Sequence, residues 1–145
     1  MGQLTRAWRE DGSLRFDSLQ ESRRRWPKEL GELSWNNVYT RPDLQIRTMI
    51  LMSRANYSLF LDTHEPLAFA DSAYNGGVSD VRRSRVACNI SKTCDPKYWF
   101  GHVELHNVKS RKVLYANRSA RDINNHHVYD VLNVHIHKYV PLLTN

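Results

Sequence analysis

The chain has 145 residues, 41% of them hydrophobic, which is enough for one globular domain, residues 1–145, with a proper core. Its 21 Lys and Arg exceed 15 Asp and Glu for a formal charge of +6, a balance that favours anionic partners such as a bacterial envelope or nucleic acid. The longest apolar run is too short for a bilayer span, and no apolar stretch follows a basic start at the N-terminus, so the expectation is no membrane helix and no secretion signal.

Taken in order, residues 4–12 hold Thr5, Trp8 and an Asp11-Gly12 turn and predict a short helical piece ending in that turn. A helix beginning near Asp17 or Ser18 and running to Arg25 follows, with Asp or Ser as its cap and Glu21 close to the capping-box position. Pro27 starts another helical turn to Leu33, and residues 34–40 read as loop. Residues 42–61 form the most apolar stretch. Leu44, Met49, Ile50, Met52, Ala55, Leu59 and Phe60 recur at three- and four-residue spacing, which predicts the central hydrophobic helix of the fold. The next helix has Pro66 near its start and stops at Gly76-Gly77, because glycine accepts the left-handed conformation that ends helices.

Residues 78–88 predict a short amphipathic helix leading to Cys88. Asp95-Pro96 reads as a cap and first-turn proline for a helix through Tyr98, Trp99, Val103 and Leu105. Residues 107–118 are basic and irregular, and Arg118 to Tyr139 predicts the last long helix, ended by Pro141. Convincing alternation is absent, so the expected class is all-α, with roughly six or seven helices.

The motif Ala73-Tyr74-Asn75-Gly76-Gly77, after an alanine-containing helix that follows a hydrophobic one, resembles the Ala-Tyr-Asn-Gly-Gly motif of lytic transglycosylases in the goose-type lysozyme superfamily. Gly2-Gln3 is similar to the end of that family's Gly-Leu-Met-Gln motif. His127-Val128-Tyr129-Asp130-Val131-Leu132 is similar to its late Tyr-Val-x-x-Val-Leu helix, and the three pieces fall in the family's order. The resemblance implies a lysozyme-like helical domain, of phage or prophage lysis type, that takes the MurNAc-GlcNAc glycan strand of peptidoglycan. Tyr74 and Asn75 are then expected to contact sugar, with Gln3 and His127 lining the same cleft.

In the family the catalytic glutamate stands in a Glu-Ser motif ahead of the Gly-Leu-Met-Gln piece, whereas here Gly2-Gln3 directly follow Met1. The resemblance therefore implies the fold and the cleft and leaves the acid unassigned. Glycan cleavage of this kind takes one protonated carboxylic acid, after which the sugar's own 6-hydroxyl attacks and no cofactor is needed. Glu21-Ser22 reproduces the dipeptide and makes Glu21 the catalytic candidate, but it follows Gln3 and precedes three arginines, and nearby cations favour the ionised form of a carboxylate. Glu10 and Glu65 rank behind it. A non-catalytic wall-binding, accessory or inhibitor module of the same fold is the alternative.

Cys88 and Cys94, separated by five residues, permit a small disulfide loop and exclude a four-ligand zinc knuckle. His102 and His106 would share a face on a helix, but no third ligand stands at a useful spacing, so no metal is expected. The basic runs Arg23-Arg24-Arg25, Arg82-Arg83-x-Arg85 and Lys109-Ser110-Arg111-Lys112 raise a nucleic-acid binder as a second alternative. The tryptophans do not form a stacking ladder and no nucleic-acid motif is present, which argues against it.

Overall fold

A computed structural model describes residues 4–143, the side chains of Tyr115, Leu142 and Leu143 excepted. Gly2 and Gln3 lie outside the described residues. The chain is mostly helical, compatible with the all-α expectation, and adds two short antiparallel strand pairs. It divides into two compact units, residues 1–54 and 55–145.

In the first unit, residues 4–12 are not helical. β1 (Arg6–Trp8) pairs antiparallel with β2 (Leu14–Asp17), in the register Arg6 with Asp17, Ala7 with Phe16 and Trp8 with Leu14. The turn signal at Asp11-Gly12 closes a hairpin. Asp11 Oδ1 accepts from the Ser13 amide at 2.8 Å, and Gly12 takes φ +80°, a conformation open to glycine. The partner strand lies beyond the turn, so a reading confined to residues 4–12 contained half of the pairing.

Asp17 ends β2 and caps α1 (Ser18–Arg25), its Oδ1 accepting from the Gln20 amide at 2.9 Å. Its Oδ2 accepts from the Trp35 indole at 2.8 Å, which ties the loop to the hairpin's end. The short α2 (Pro27–Leu30) follows. Leu19, Leu33, Val38 and Leu44 form this unit's core, with Leu4 and Trp35 against it.

α3 (Pro42–Ser58) crosses the boundary between the units and stops three residues short of the expected end at Leu61. It is not the central hydrophobic helix that its composition predicts. Ile46, Met49 and Ile50 are exposed, while Leu44, Gln45 and Thr48 are buried. The polar members of that buried side have partners: Thr48 Oγ1 donates to the Leu44 carbonyl at 2.7 Å, and the Gln45 amide donates to the Val38 carbonyl.

The second unit is built on α4 (Pro66–Gly76), which buries Ala68, Phe69, Ala70, Ser72 and Ala73. Phe69 stacks on Phe60 and meets Trp99 edge-on, both at 5.6 Å between ring centroids. Phe69 and Trp99 are fully buried, and each such ring removed from water contributes about 2–3 kcal/mol. α5 (Val78–Ile90) adds Val81 and Cys88 to this core, and α6 (Ala120–Tyr129) adds Val128.

The helix expected from Asp95 through Leu105 is absent; the segment is a series of turns with one 3₁₀ turn at Val103–His106. The Trp99 and Phe100 amides donate to Glu65 Oε2 at 2.6 and 3.0 Å, and Gly101 takes φ +72°, so the local helical ladder is not followed. The basic segment after Asn107 contains β3 (Val113–Tyr115), paired antiparallel with β4 (Arg118–Ser119). The last long helix is divided: α6 passes through a π-helical segment, Asp130–His135, into α7 (Ile136–Leu143), and Pro141 lies inside α7 instead of ending it.

Cys88 and Cys94 are joined in a disulfide with Cα atoms 5.3 Å apart, closing the loop that leaves α5. A loop this short removes about 2 kcal/mol of unfolded-state entropy. Cys94→Ser, or reduction of the wild type, is expected to lower the melting temperature by roughly 4–8 °C. Calorimetry with and without reductant checks this, and an unchanged transition would show that the bridge does not constrain the second unit.

Candidate functional site

The Ala73-Tyr74-Asn75-Gly76-Gly77 motif is the last turn of α4 and its cap. Its two glycines have different tasks. Gly77 adopts φ 92°, and its amide donates to the Ala73 carbonyl at 2.7 Å, closing the helix. At Gly76 a Cβ would lie 2.9 Å from Asn124 Nδ2 and closer still to Lys109 Cε, so any side chain there would require both of these hydrogen-bonded side chains to shift. Lys109 Nζ donates to the Gly76 carbonyl at 2.8 Å and pairs with Asp80 Oδ2 at 3.0 Å, placing a cation at the negative end of α4. Burial pushes the Asp80 carboxyl up, but hydrogen bonds from Arg83 and Lys109 outweigh it and hold the carboxyl below its ordinary value.

Asn124 on α6 connects this helix end to the core. It is 1% exposed and uses its whole carboxamide. Its Oδ1 accepts from Ser72 Oγ and from Asn107 Nδ2, both at 2.9 Å. Its Nδ2 donates to the Ser72 carbonyl at 3.2 Å and to Asn75 Oδ1 at 3.1 Å. Asn107 also donates to Asn125 Oδ1 at 2.7 Å, and Asn125 to the Glu104 carbonyl at 3.0 Å. Asn75 is thereby oriented by a buried partner, and it and Tyr74 are half-buried at the helix end. α6 starts where it does because Ser119 and Asp122 form a reciprocal capping box, which places Asn124 in its second turn.

His127, one turn beyond Asn124, faces Asp71 on α4, Nε2 to Oδ1 3.4 Å. The hydrogen bond to Asp71 raises the His127 pKa above its ordinary 6.5; partial burial opposes this, and the charges of Asp71 and Asp130 reinforce it. Of the residues singled out from sequence, Asn75 and His127 thus each meet a partner across the α4–α6 contact, and Tyr74 lies next to Asn75 in the last turn of α4. Glu21, in the first unit, is exposed on α1 and without the apolar surround of a proton-donating carboxyl. Glu65 is committed to the two amides described above.

His102 and His106 are not a helical pair. His102 precedes the 3₁₀ turn, and its Nδ1 accepts from the Asp95 amide at 3.0 Å. Among the described residues no group of three or more His, Cys, Asp or Glu is placed to hold a metal ion, and no helix is long and apolar enough to cross a membrane. The basic runs of α5 are partly neutralised, Arg85 by Asp62 at 2.7 Å and Arg83 by Asp80 at 2.5 Å. Ser72, Asn107 and Asn124 were not singled out from the sequence, and Lys109 entered only as part of a basic run. The one available signal was Asn124-Asn125 within a helical stretch, where asparagine is a poor helix former and wants a reason to be present.

Replacing Asn124 with Leu strands the partners of all four hydrogen bonds and is expected to cost about 2–4 kcal/mol. Urea unfolding measures it, and a loss below about 1 kcal/mol would show that water replaces the amide at no penalty. The His127–Asp71 contact makes a second, pH-dependent contribution. Because the folded pKa is raised, that contribution is fully present below about pH 6.5 and is lost as pH rises through the higher folded value. The stability difference between wild type and His127→Gln is therefore expected to shrink as the pH is raised above about 6.5. A difference that stays flat as the pH rises from below to well above 6.5 would rule out the pair.

Comparison of the chain with protein-family models, with curated proteins and with solved structures finds no match.

Proposed function

We propose that this chain is a lysozyme-like domain of the lytic transglycosylase type that binds the MurNAc-GlcNAc glycan strand of peptidoglycan at the C-terminal end of α4. One observation carries the reading. The motif on which the resemblance rests forms a helix end whose tyrosine is half open to solvent and whose asparagine is oriented from the core. A sugar ring presents C–H faces together with hydroxyl and acetamido groups. A partly exposed phenol beside a fixed carboxamide offers stacking and hydrogen bonding to such a ring, at little ordering cost on the protein side.

His127 on α6 and Asp71 in the middle of α4 are joined across the same pair of helices and are further polar groups available to the strand. The net charge of +6 favours approach to an anionic envelope. Binding, not cleavage, is the activity proposed, because the exposed Glu21 lacks the surroundings of a general acid.

Purified, insoluble peptidoglycan is expected to sediment the wild-type chain, and Tyr74→Ala or Asn75→Ala to weaken that binding by about tenfold. Turbidity of the same wall suspension separates binding from turnover: sedimentation without clearing fits the proposal, and clearing that is lost in Tyr74→Ala would make the chain an enzyme. A wild type that stays in the supernatant at high wall concentration would overturn the assignment.

A further inference from the structure

The β1–β2 hairpin of the first unit carries an aromatic that the Tyr74 motif does not account for. Trp8 is 58% exposed and lines a shallow concavity of about 560 Å³ together with Arg9, Glu10, Asp11 and Arg15. Leaving an indole in water forgoes about 2 kcal/mol of burial, yet this ring is held in place from one side. The Arg6 guanidinium lies 5.8 Å from the Trp8 ring centroid and 4.9 Å from that of Trp35. Trp35 is in turn fixed by its hydrogen bond to Asp17, the residue that pairs with Arg6 across the hairpin. The indole is thus braced by a cation whose own position is constrained, while most of its surface stays open.

The rim of the concavity is built as firmly. Arg9 Nη1 donates to the Leu14 carbonyl at 3.0 Å and to Ser13 Oγ at 3.2 Å. Asp11 Oδ1 accepts from Ser13 Oγ at 2.6 Å, and these bonds hold its carboxyl below the ordinary carboxylate range. The four charged lining residues are two cations and two anions, so the concavity has no net charge with which to prefer a polyanion or an anionic lipid surface. An apolar protein face would strand all four charges. A neutral, hydroxylated ring with a C–H face suits both parts of the lining: it stacks on the indole and hydrogen-bonds to carboxylate and guanidinium.

We propose that Trp8, with Glu10 and Arg15 beside it, is a saccharide subsite that takes an N-acetylated sugar ring of the glycan strand. This rests on the peptidoglycan reading above and assigns the first unit a contact of its own with that class of polymer.

The test uses the full chain, nitrogen-labelled, titrated with a soluble β-1,4-linked N-acetylglucosamine oligomer and followed by NMR. The Trp8 indole N–H resonance is expected to shift in a saturable manner. Trp8→Ala is expected to weaken binding of the oligomer by about five- to tenfold, with Trp8→Phe recovering most of the loss. The wild-type titration stands whether or not the variants fold. A Trp8 indole resonance that stays still while the oligomer binds and shifts residues of α4 would overturn the subsite and leave the glycan assignment intact. A wild type that binds neither this oligomer nor purified wall would overturn both.

Discussion

A carboxamide can be buried at modest cost only if all its hydrogen-bonding capacity is met, and Asn124 meets that condition with four bonds to three residues. Two of those residues, Ser72 and Asn75, lie on α4, one on the core side of its last turns and the other at its half-open end. The third, Asn107, lies in the segment after the 3₁₀ turn. One side chain therefore fixes the spacing of α4 and α6 and the orientation of the motif's asparagine together. A rotation of α6 that moved Asn124 away would leave buried donors and acceptors unpaired, each at about 1–3 kcal/mol, so the helix end is held in one arrangement.

Local signals in the sequence located several helix starts and stops well, and strands and burial poorly. Pro66 and the double glycine bracketed α4, Asp17 capped α1, and Pro42 began α3, because caps and breakers act within a few residues. α3 was misjudged for a different reason. Three- and four-residue spacing identifies a stripe, but burial depends on what the rest of the chain brings against it. The buried side is the one carrying Leu44 and Thr48, where polar groups find partners inside the helix and in the loop before it. The segment after Asp95 shows the same limit from the other direction. A cap followed by proline announces a helix, and Glu65, thirty-four residues before Trp99, takes the amides instead.

The site was legible in its motif and hidden in its supports. Tyr74, Asn75 and the double glycine could be read because a helix end has recognisable residue types: the positive φ at Gly77 calls for glycine, and the absence of a side chain at Gly76 lets Lys109 and Asn124 approach closely. Lys109 and Asn107 could not, since a lysine in a basic run and an asparagine in a loop are unremarkable until folding brings them to α4. Asp71 carries no local signal either, and only folding brings it opposite His127 of α6.

The proposed ligand gives these supports a physical purpose. An extended glycan offers each protein contact only a weak interaction, so affinity is lost quickly if every contacting side chain must also be ordered on binding. At the end of α4 that ordering is done during folding, by the buried amide behind Asn75 and by the lysine that closes off the Gly76 carbonyl. The hairpin follows the same logic with different chemistry: Arg6, braced by Trp35, positions the exposed Trp8 ring before any ligand arrives. In each unit an aromatic ring with solvent-accessible surface, partly buried at Tyr74 and largely exposed at Trp8, is flanked by polar groups whose geometry folding has already set, and these are the two properties on which the proposed glycan would draw.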